Sequence, residues 1–247
     1  MRKEHPILFS TPMVQAILEG KKAKTRRIIK HQPIIDQDSG FVFDGKHRKQ
    51  YDIHNWQERF IDDFAKWMPD DWLWVRETYS WDYKEYPERT EKFYYYKANT
   101  SDNFLASGEK WKPSIFMPRV AARIFLEVTN VKVERLHDIS DADIISEGVR
   151  VPVSEEGGVF FKLGVENSAY RFMPEQWQID RHVENRGKEI YTPTEHDLLF
   201  AHWAELWCEI NGRESWDANP WLWVIEFKVL STTGKPLFKK LADVETV

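Results

Sequence analysis

The segment that most restricts how this chain can fold lies between a helix signal and a strand signal near the N-terminus. Gly20 to Lys30 reads Gly-Lys-Lys-Ala-Lys-Thr-Arg-Arg-Ile-Ile-Lys, with six basic residues (Lys21, Lys22, Lys24, Arg26, Arg27, Lys30) in a chain of formal net charge -5. Ahead of it, Thr11 to Glu19 carries the marks of a short helix: Ser10 or Thr11 as cap, Pro12 just inside the start and Gly20 just past the end. Behind it, Ile28 and Ile29 suit a strand. The cationic segment therefore leaves a helix and enters a sheet, where a loop can hold polar side chains on rigid supports. A local positive cluster on an acidic chain draws an anionic or polar ligand to one place. On charge alone the alternative stands beside it: Lys21 and Lys22 complement the helix dipole and the arginines are solvated.

With 247 residues, the chain has ample length for a core. A sequence pI of about 5.9 argues against a non-specific duplex binder, which needs a broad basic face. The 12 Trp, 9 Tyr and 15 Phe fit a packed sheet core, with some left to line a pocket or stacking surface. One cysteine, Cys208, excludes an internal disulfide framework and points to a reducing compartment. The N-terminal residues lack a signal-peptide core, and no apolar run reaches the roughly 18 residues of a membrane helix. These features lead us to expect a cytoplasmic protein without membrane partners.

Along the chain, Pro6 to Ser10 reads as a strand. Residues 31–70 turn polar and irregular, with room for a small hairpin and a helical piece around Asn55 to Trp67. Trp72-Leu-Trp-Val-Arg-Glu is β-rich, and a second irregular stretch covers 80–113. Ala122 to Leu136 is strongly β-like, with a bend expected at Asn130. Ser140 caps a short helix, with Asp143 as an acidic capping-box partner, and Gly148 ends it. Residues 151–193 form a third irregular stretch. Thr194 caps a helix with Leu199, Trp203, Leu206 and Ile210 as its apolar stripe. Trp221 to Leu230 is nearly continuously apolar, as in a strand buried on both faces. The order predicts one α+β domain over 1–247, a curved sheet or small barrel decorated by three insertions at about 31–70, 80–113 and 151–193.

The histidines form no His-Glu-x-x-His or tight His/Cys cluster, and the Gly-rich phosphate loops are missing, so no metal or cofactor is expected. Cys208, inside a helix beside Trp207, reads as a packing residue. The chemistry then falls on the basic segment. Thr25 is its only hydroxyl, and a threonine becomes a nucleophile when a neutral lysine takes its proton. Crowding by other cations or desolvation favours a neutral Lys22. Lys22 and Thr25 are three apart and share a site only if the chain turns between them, whereas Thr25 and Arg27 share a strand face directly. Glu147 ends the helix from Ser140, where a carboxylate meets the negative end of the dipole. A carboxylate so placed is expected to suit a general acid; a solvated surface glutamate is the plainer reading.

Ile17-Leu-Glu-Gly-Lys-Lys-Ala-Lys-Thr-Arg-Arg resembles the signature of ASCH domains (activating-signal-cointegrator homology), in the PUA-like superfamily. Asp71-Trp-Leu-Trp-Val-Arg-Glu, Ala122 to Leu136, Ile139 to Gly148 and Trp221 to Lys228 follow in family order and cover about half the chain. The resemblance implies a PUA-like mixed β-barrel with a few short helices and a cleft for RNA or modified bases. One branch, similar also at three further positions, removes the acetyl group from acetylcytidine with a lysine, a threonine and a glutamate. These fall on Lys22, Thr25 and Glu147, and the arginine two after the threonine falls on Arg27. Lys21 and Lys24 depart from the branch's flanking residues.

Two functions follow as expectations. In the first, the chain is an amidohydrolase acting on an acylated nucleoside. Thr25 attacks, Lys22 is the base, Glu147 protonates the leaving amine, and Arg27 steadies the oxyanion or orients the ligand. In the second, the cleft only reads single-stranded RNA or a modified base. Lys21, Lys24, Arg26 and Arg27 then bind it, with Trp72, Trp74 or Tyr95 stacking. A ribonuclease is a third, weaker reading.

Overall fold

The computed structural model describes residues 2–45, 49–86, 89–100, 110–149 and 194–236. The third expected insertion, 151–193, with its Trp177, lies outside them. The protein is α+β, with several sheets and few helices. It divides into two compact units, one of residues 1–23, 66–131 and 225–247, the other of 24–65 and 132–224.

In the first unit, β1 (Glu4–Leu8) pairs in parallel with β6 (Trp72–Arg76), whose Trp72, Leu73 and Trp74 pair antiparallel with β9 (Phe125–Arg135). The C-terminal part of β10 (Trp221–Ser231) is next in order. Asp71 fixes the approach to β6. Its carboxylate accepts from the backbone of Lys3 and Met68 and bonds His5 at 3.2 Å. Helix α1 (Thr11–Leu18) has Ser10 as N-cap and Pro12 in its first turn, and Gly20, at φ +70, ends it in the left-handed region that glycine adopts without strain. Part of the expected irregular stretch 80–113 is a hairpin instead. Its strands β7 (Tyr79–Tyr86) and β8 (Arg89–Tyr96) pair antiparallel in unbroken register. In β7 the period-2 signal is present, with Tyr79, Trp81 and Tyr83 alternating with Ser80, Asp82 and Lys84, whereas in β8 the run Phe93 to Tyr96 puts aromatics on both faces and hides it. Trp72, Met117, Ala121 and Phe125 form this unit's aromatic core.

The second unit takes the C-terminal part of β9, the N-terminal part of β10 and β2 (Lys24–Ile28), in that order. The strand after α1 thus begins inside the basic segment. In neither unit do the described strands close into a barrel. The first insertion contributes the antiparallel sheet β3 (Ile34–Asp36), β4 (Phe41–Phe43), β5 (Gln50–Asp52) and helix α2 (Trp56–Phe64). Helices α3 (Asp141–Ser146), α4 (Glu195–Asn211) and α5 (Arg213–Asp217) complete it. Leu136, Ile144, Leu199, Trp203, Trp207 and Leu222 make the core, with the half-buried Cys208 packed against it.

β9 runs unbroken through Asn130, but its buried side chains shift there from even positions (Leu126, Val128) to odd ones (Val131, Val133), so the alternation changes phase where the bend is expected. One further expectation is corrected. Ile210 has the right period for the α4 stripe but is 53% exposed, since the buried face ends at Trp207. Among the described residues no helix is long and apolar enough to cross a membrane.

Candidate functional site

Strand alternation divides the basic segment of the second unit between two faces. Lys24 and Arg26 point one way, and both reach Asp143 on α3. Thr25 and Arg27 point the other way, and Arg27 Nη1 donates to Thr25 Oγ1 at 3.0 Å.

The Lys24 and Arg26 face is a buried charge network. The Arg26 guanidinium, 1% exposed, donates from Nη1 to Glu147 Oε1 at 3.1 Å. Its Nη2 donates to Asp143 Oδ2 at 2.9 Å and reaches Glu134 of β9 at 3.3 and 3.4 Å. The guanidinium also lies 5.8 Å from the centre of the Trp203 ring. One rigid fork therefore ties β2 to β9, α3 and α4. A buried ion pair is a poor source of net stability, since desolvation offsets the attraction; removing one partner is costly because the other is left uncompensated.

The environment pushes two of these carboxylates in opposite directions. Burial raises the Glu134 pKa; repulsion from Asp143 and Asp138 adds to this, against the pull of Arg26. At Asp143 burial also acts upward, but the bonds and charges of Lys24 and Arg26 outweigh it and hold the carboxyl below its ordinary value. Ser140 caps α3 as expected, its hydroxyl accepting from the Asp143 backbone at 3.3 Å. The Asp143 carboxylate, expected to complete the cap, goes to Lys24 and Arg26. The complete capping box stands at Thr194 and Asp197.

Thr25 is 1% exposed. Arg27 donates to it and to the Arg26 carbonyl, at 2.9 Å. Burial lowers the Arg27 pKa and the nearby Glu147 carboxylate opposes that fall. Glu147 caps the C-terminus of α3, buried to 5%. The second unit thus brings together Thr25, Arg27, Arg26 and Glu147, with Lys24 on the same network.

The remaining expected residues fall in the first unit. Lys22 is 2% exposed, its backbone N–H on the Ala16 carbonyl and its ammonium 5.9 Å from the centre of the Phe9 ring. Lys21 is exposed and paired with Glu19. Trp72, 1% exposed, is a core residue with Phe125 and Arg2 beside its ring, so its faces are committed to packing. Trp74 is half-buried with Arg76 and Arg119 near its ring, and Tyr95 is half-buried.

Sequence reasoning missed Glu134 and Asp143, leaving the first within a β-like run and reading the second as a cap. The one available signal was the alternation of Lys24 and Arg26, which puts two cations on one strand face and calls for carboxylates opposite. Among the described residues no group of three or more His, Cys, Asp and Glu could hold a metal. Comparison with protein-family models, curated proteins and solved structures finds no match to this chain.

Proposed function

We propose that this protein binds a modified nucleoside, free or within RNA, beside Thr25, Arg27 and Glu147, and that it hydrolyses an amide on the base. The single observation behind this reading is a buried hydroxyl, Thr25, receiving a hydrogen bond from a guanidinium that also senses a buried carboxylate, Glu147. The reading includes a PUA-like origin for the fold, which rests on the order of motifs in the sequence.

The chemistry is acyl transfer. Thr25 Oγ1 bonds to the acyl carbon, its proton passing to a base, and the carbon–nitrogen bond breaks as the amine takes a proton from Glu147. Water then cleaves the threonine ester, releasing the carboxylic acid and restoring the hydroxyl. The base in this reading is Lys22, a role that rests on the sequence, through its crowding by neighbouring cations and the ASCH resemblance. Arg27 offers N–H groups to the charge that develops on the acyl oxygen.

A second reading, a cleft that binds without chemistry, has its own support. The Thr25 hydroxyl accepts from a guanidinium, which donates and cannot take a proton. Mass spectrometry of the full chain incubated with acylated nucleosides and with RNA separates the readings. Hydrolysis appears as loss of the acyl mass, with Thr25→Ala abolishing turnover while the ligand still binds. If the protein only binds, the nucleoside returns unchanged, Thr25→Ala is nearly silent and Arg27→Ala weakens binding. Shortened RNA would point to nuclease chemistry and against both.

A further inference from the structure

The hairpin of β7 and β8, in the first unit, has a face on which aromatic rings and cations are interleaved. Its register sets Tyr79, Trp81, Tyr83 and Glu85 opposite Tyr96, Tyr94, Lys92 and Thr90, all on one side of the pleat. The Tyr79 end of this face is covered. Tyr79 exchanges backbone hydrogen bonds with Lys112, and its hydroxyl donates to the Phe116 carbonyl at 3.0 Å. Toward the turn the face is open, and Tyr83 is 55% exposed. Between the two ends stands Trp81, with the Lys92 ammonium 3.9 Å and the Lys112 ammonium 5.3 Å from its ring centre. Trp81 thus holds two lysines at the surface, and its edge-on contact with Tyr83, at 5.2 Å and 72°, fixes the exposed ring beside them. Phe116 continues the surface past Tyr79 and is 70% exposed. Arg76 lies next to it, donating to the Ile115 carbonyl.

The charges of this face are treated differently from others in the same unit. Arg119 and Lys235 both reach Glu4, Arg123 reaches Glu77, and Lys228 reaches Glu127. Among the described residues Lys92, Lys112 and Arg76 meet rings and a carbonyl, but no carboxylate. A cation over a ring keeps its charge, so three such groups together attract an anion. Glu85, at the turn, is the acid of the paired face. The exposed rings of Tyr83 and Phe116 add a second demand, for a flat apolar counterpart. An acidic peptide supplies the charge but no ring at each step. A duplex supplies phosphates, yet its bases are stacked on one another and would leave both rings uncovered. A single strand supplies a phosphate and an unstacked base at every nucleotide.

We propose that this face binds single-stranded nucleic acid, with bases stacked on Tyr83 and Phe116 and phosphates at Lys92, Lys112 and Arg76. The surface shares no residue with the site proposed at Thr25 and takes strands with or without an acylated base. The test is fluorescence anisotropy of the full chain with a labelled, unmodified single-stranded RNA of about ten nucleotides, beside the same sequence as a duplex and a labelled polyglutamate peptide. The single strand is expected to bind best. Its log affinity should fall with log salt at a slope of about -2, from roughly 0.7 for each of three phosphates. Tyr83→Ala and Phe116→Ala should each weaken binding about tenfold, as loss of one stacked base does. Lys92→Ala should lower the steepness of the salt slope by about 0.7. Phe116 and Lys92 are exposed, so their variants spare the core, and circular dichroism confirms folding of all three. The probe carries no acyl group, so its binding is read whether or not the chemistry at Thr25 holds. Equal or tighter binding of the duplex or of polyglutamate, binding that all three variants leave unchanged, or no binding of the single strand at low salt would each overturn the proposal.

Discussion

Arg26 and its carboxylates show how one residue can hold four elements together without adding much net stability. The fork reaches Glu134, Asp143 and Glu147 from a side chain that is 1% exposed. Because the Asp143 pKa is depressed on folding, its stabilisation is present above the unfolded value, about 3.9, and is lost as pH falls through the lower folded value. Glu134 has the opposite sign. Its folded pKa is raised, so its contribution is present below the unfolded value, about 4.3, and is lost as pH rises through the folded value. Asp143→Asn should therefore lower stability at pH 7, by about 3 kcal/mol if the loss resembles that of other broken buried pairs, and flatten the decline below about pH 4. Glu134→Gln should instead remove a loss seen as pH rises from 4 toward 7. Urea unfolding of both variants across that range checks the two signs.

At the scale of the element, the long helix α4 is set by its ends and by one face. Thr194 and Asp197 close a reciprocal box, the Thr194 hydroxyl accepting from the Asp197 backbone and the Asp197 carboxylate accepting from the Thr194 N–H at 2.8 Å. Gly212, at φ +85, turns the chain out of it. Thr194→Ala should cost about 1 kcal/mol, read as a lower thermal midpoint, while Thr194→Ser should hold near the wild type. The Thr194 cap was legible in the sequence because its partners are local, though Asp197 as the reciprocal partner was not read there. The role of α3 was not, because its Asp143 has a local option in the cap and takes a distant one, 119 residues away, on Lys24.

For the whole molecule, the chain alternates between the two units rather than finishing one before starting the other. The strand β10 contributes Trp221 to Val224 to the second unit and Ile225 to Ser231 to the first, and its first five residues are all buried. Leu222, Val224 and Ile225 each sit at 0% exposure. A chain ending before Trp221 is expected to fold in neither unit, since each would lose several buried side chains worth about 2–5 kcal/mol apiece. Loss of dispersed amide signals from both units in NMR spectra of the truncated chain is the expected outcome; native signals surviving in one unit would contradict it.

By itself the sequence determined the mixed α+β class, helices α1, α3 and α4 with their punctuation, the doubly buried start of β10, and the pairing of Thr25 with Arg27 on one strand face. Each of these depends on residues close together along the chain, where periodicity and capping chemistry act. Only the tertiary structure decided that Arg26 is the hub, that Glu134 and Asp143 are its partners, and that Trp72 is committed to packing. Those contacts join residues tens to hundreds of positions apart. Alternation can say that a side chain leaves its strand on a given face, but which charge or ring waits there is fixed by the packing of the other elements.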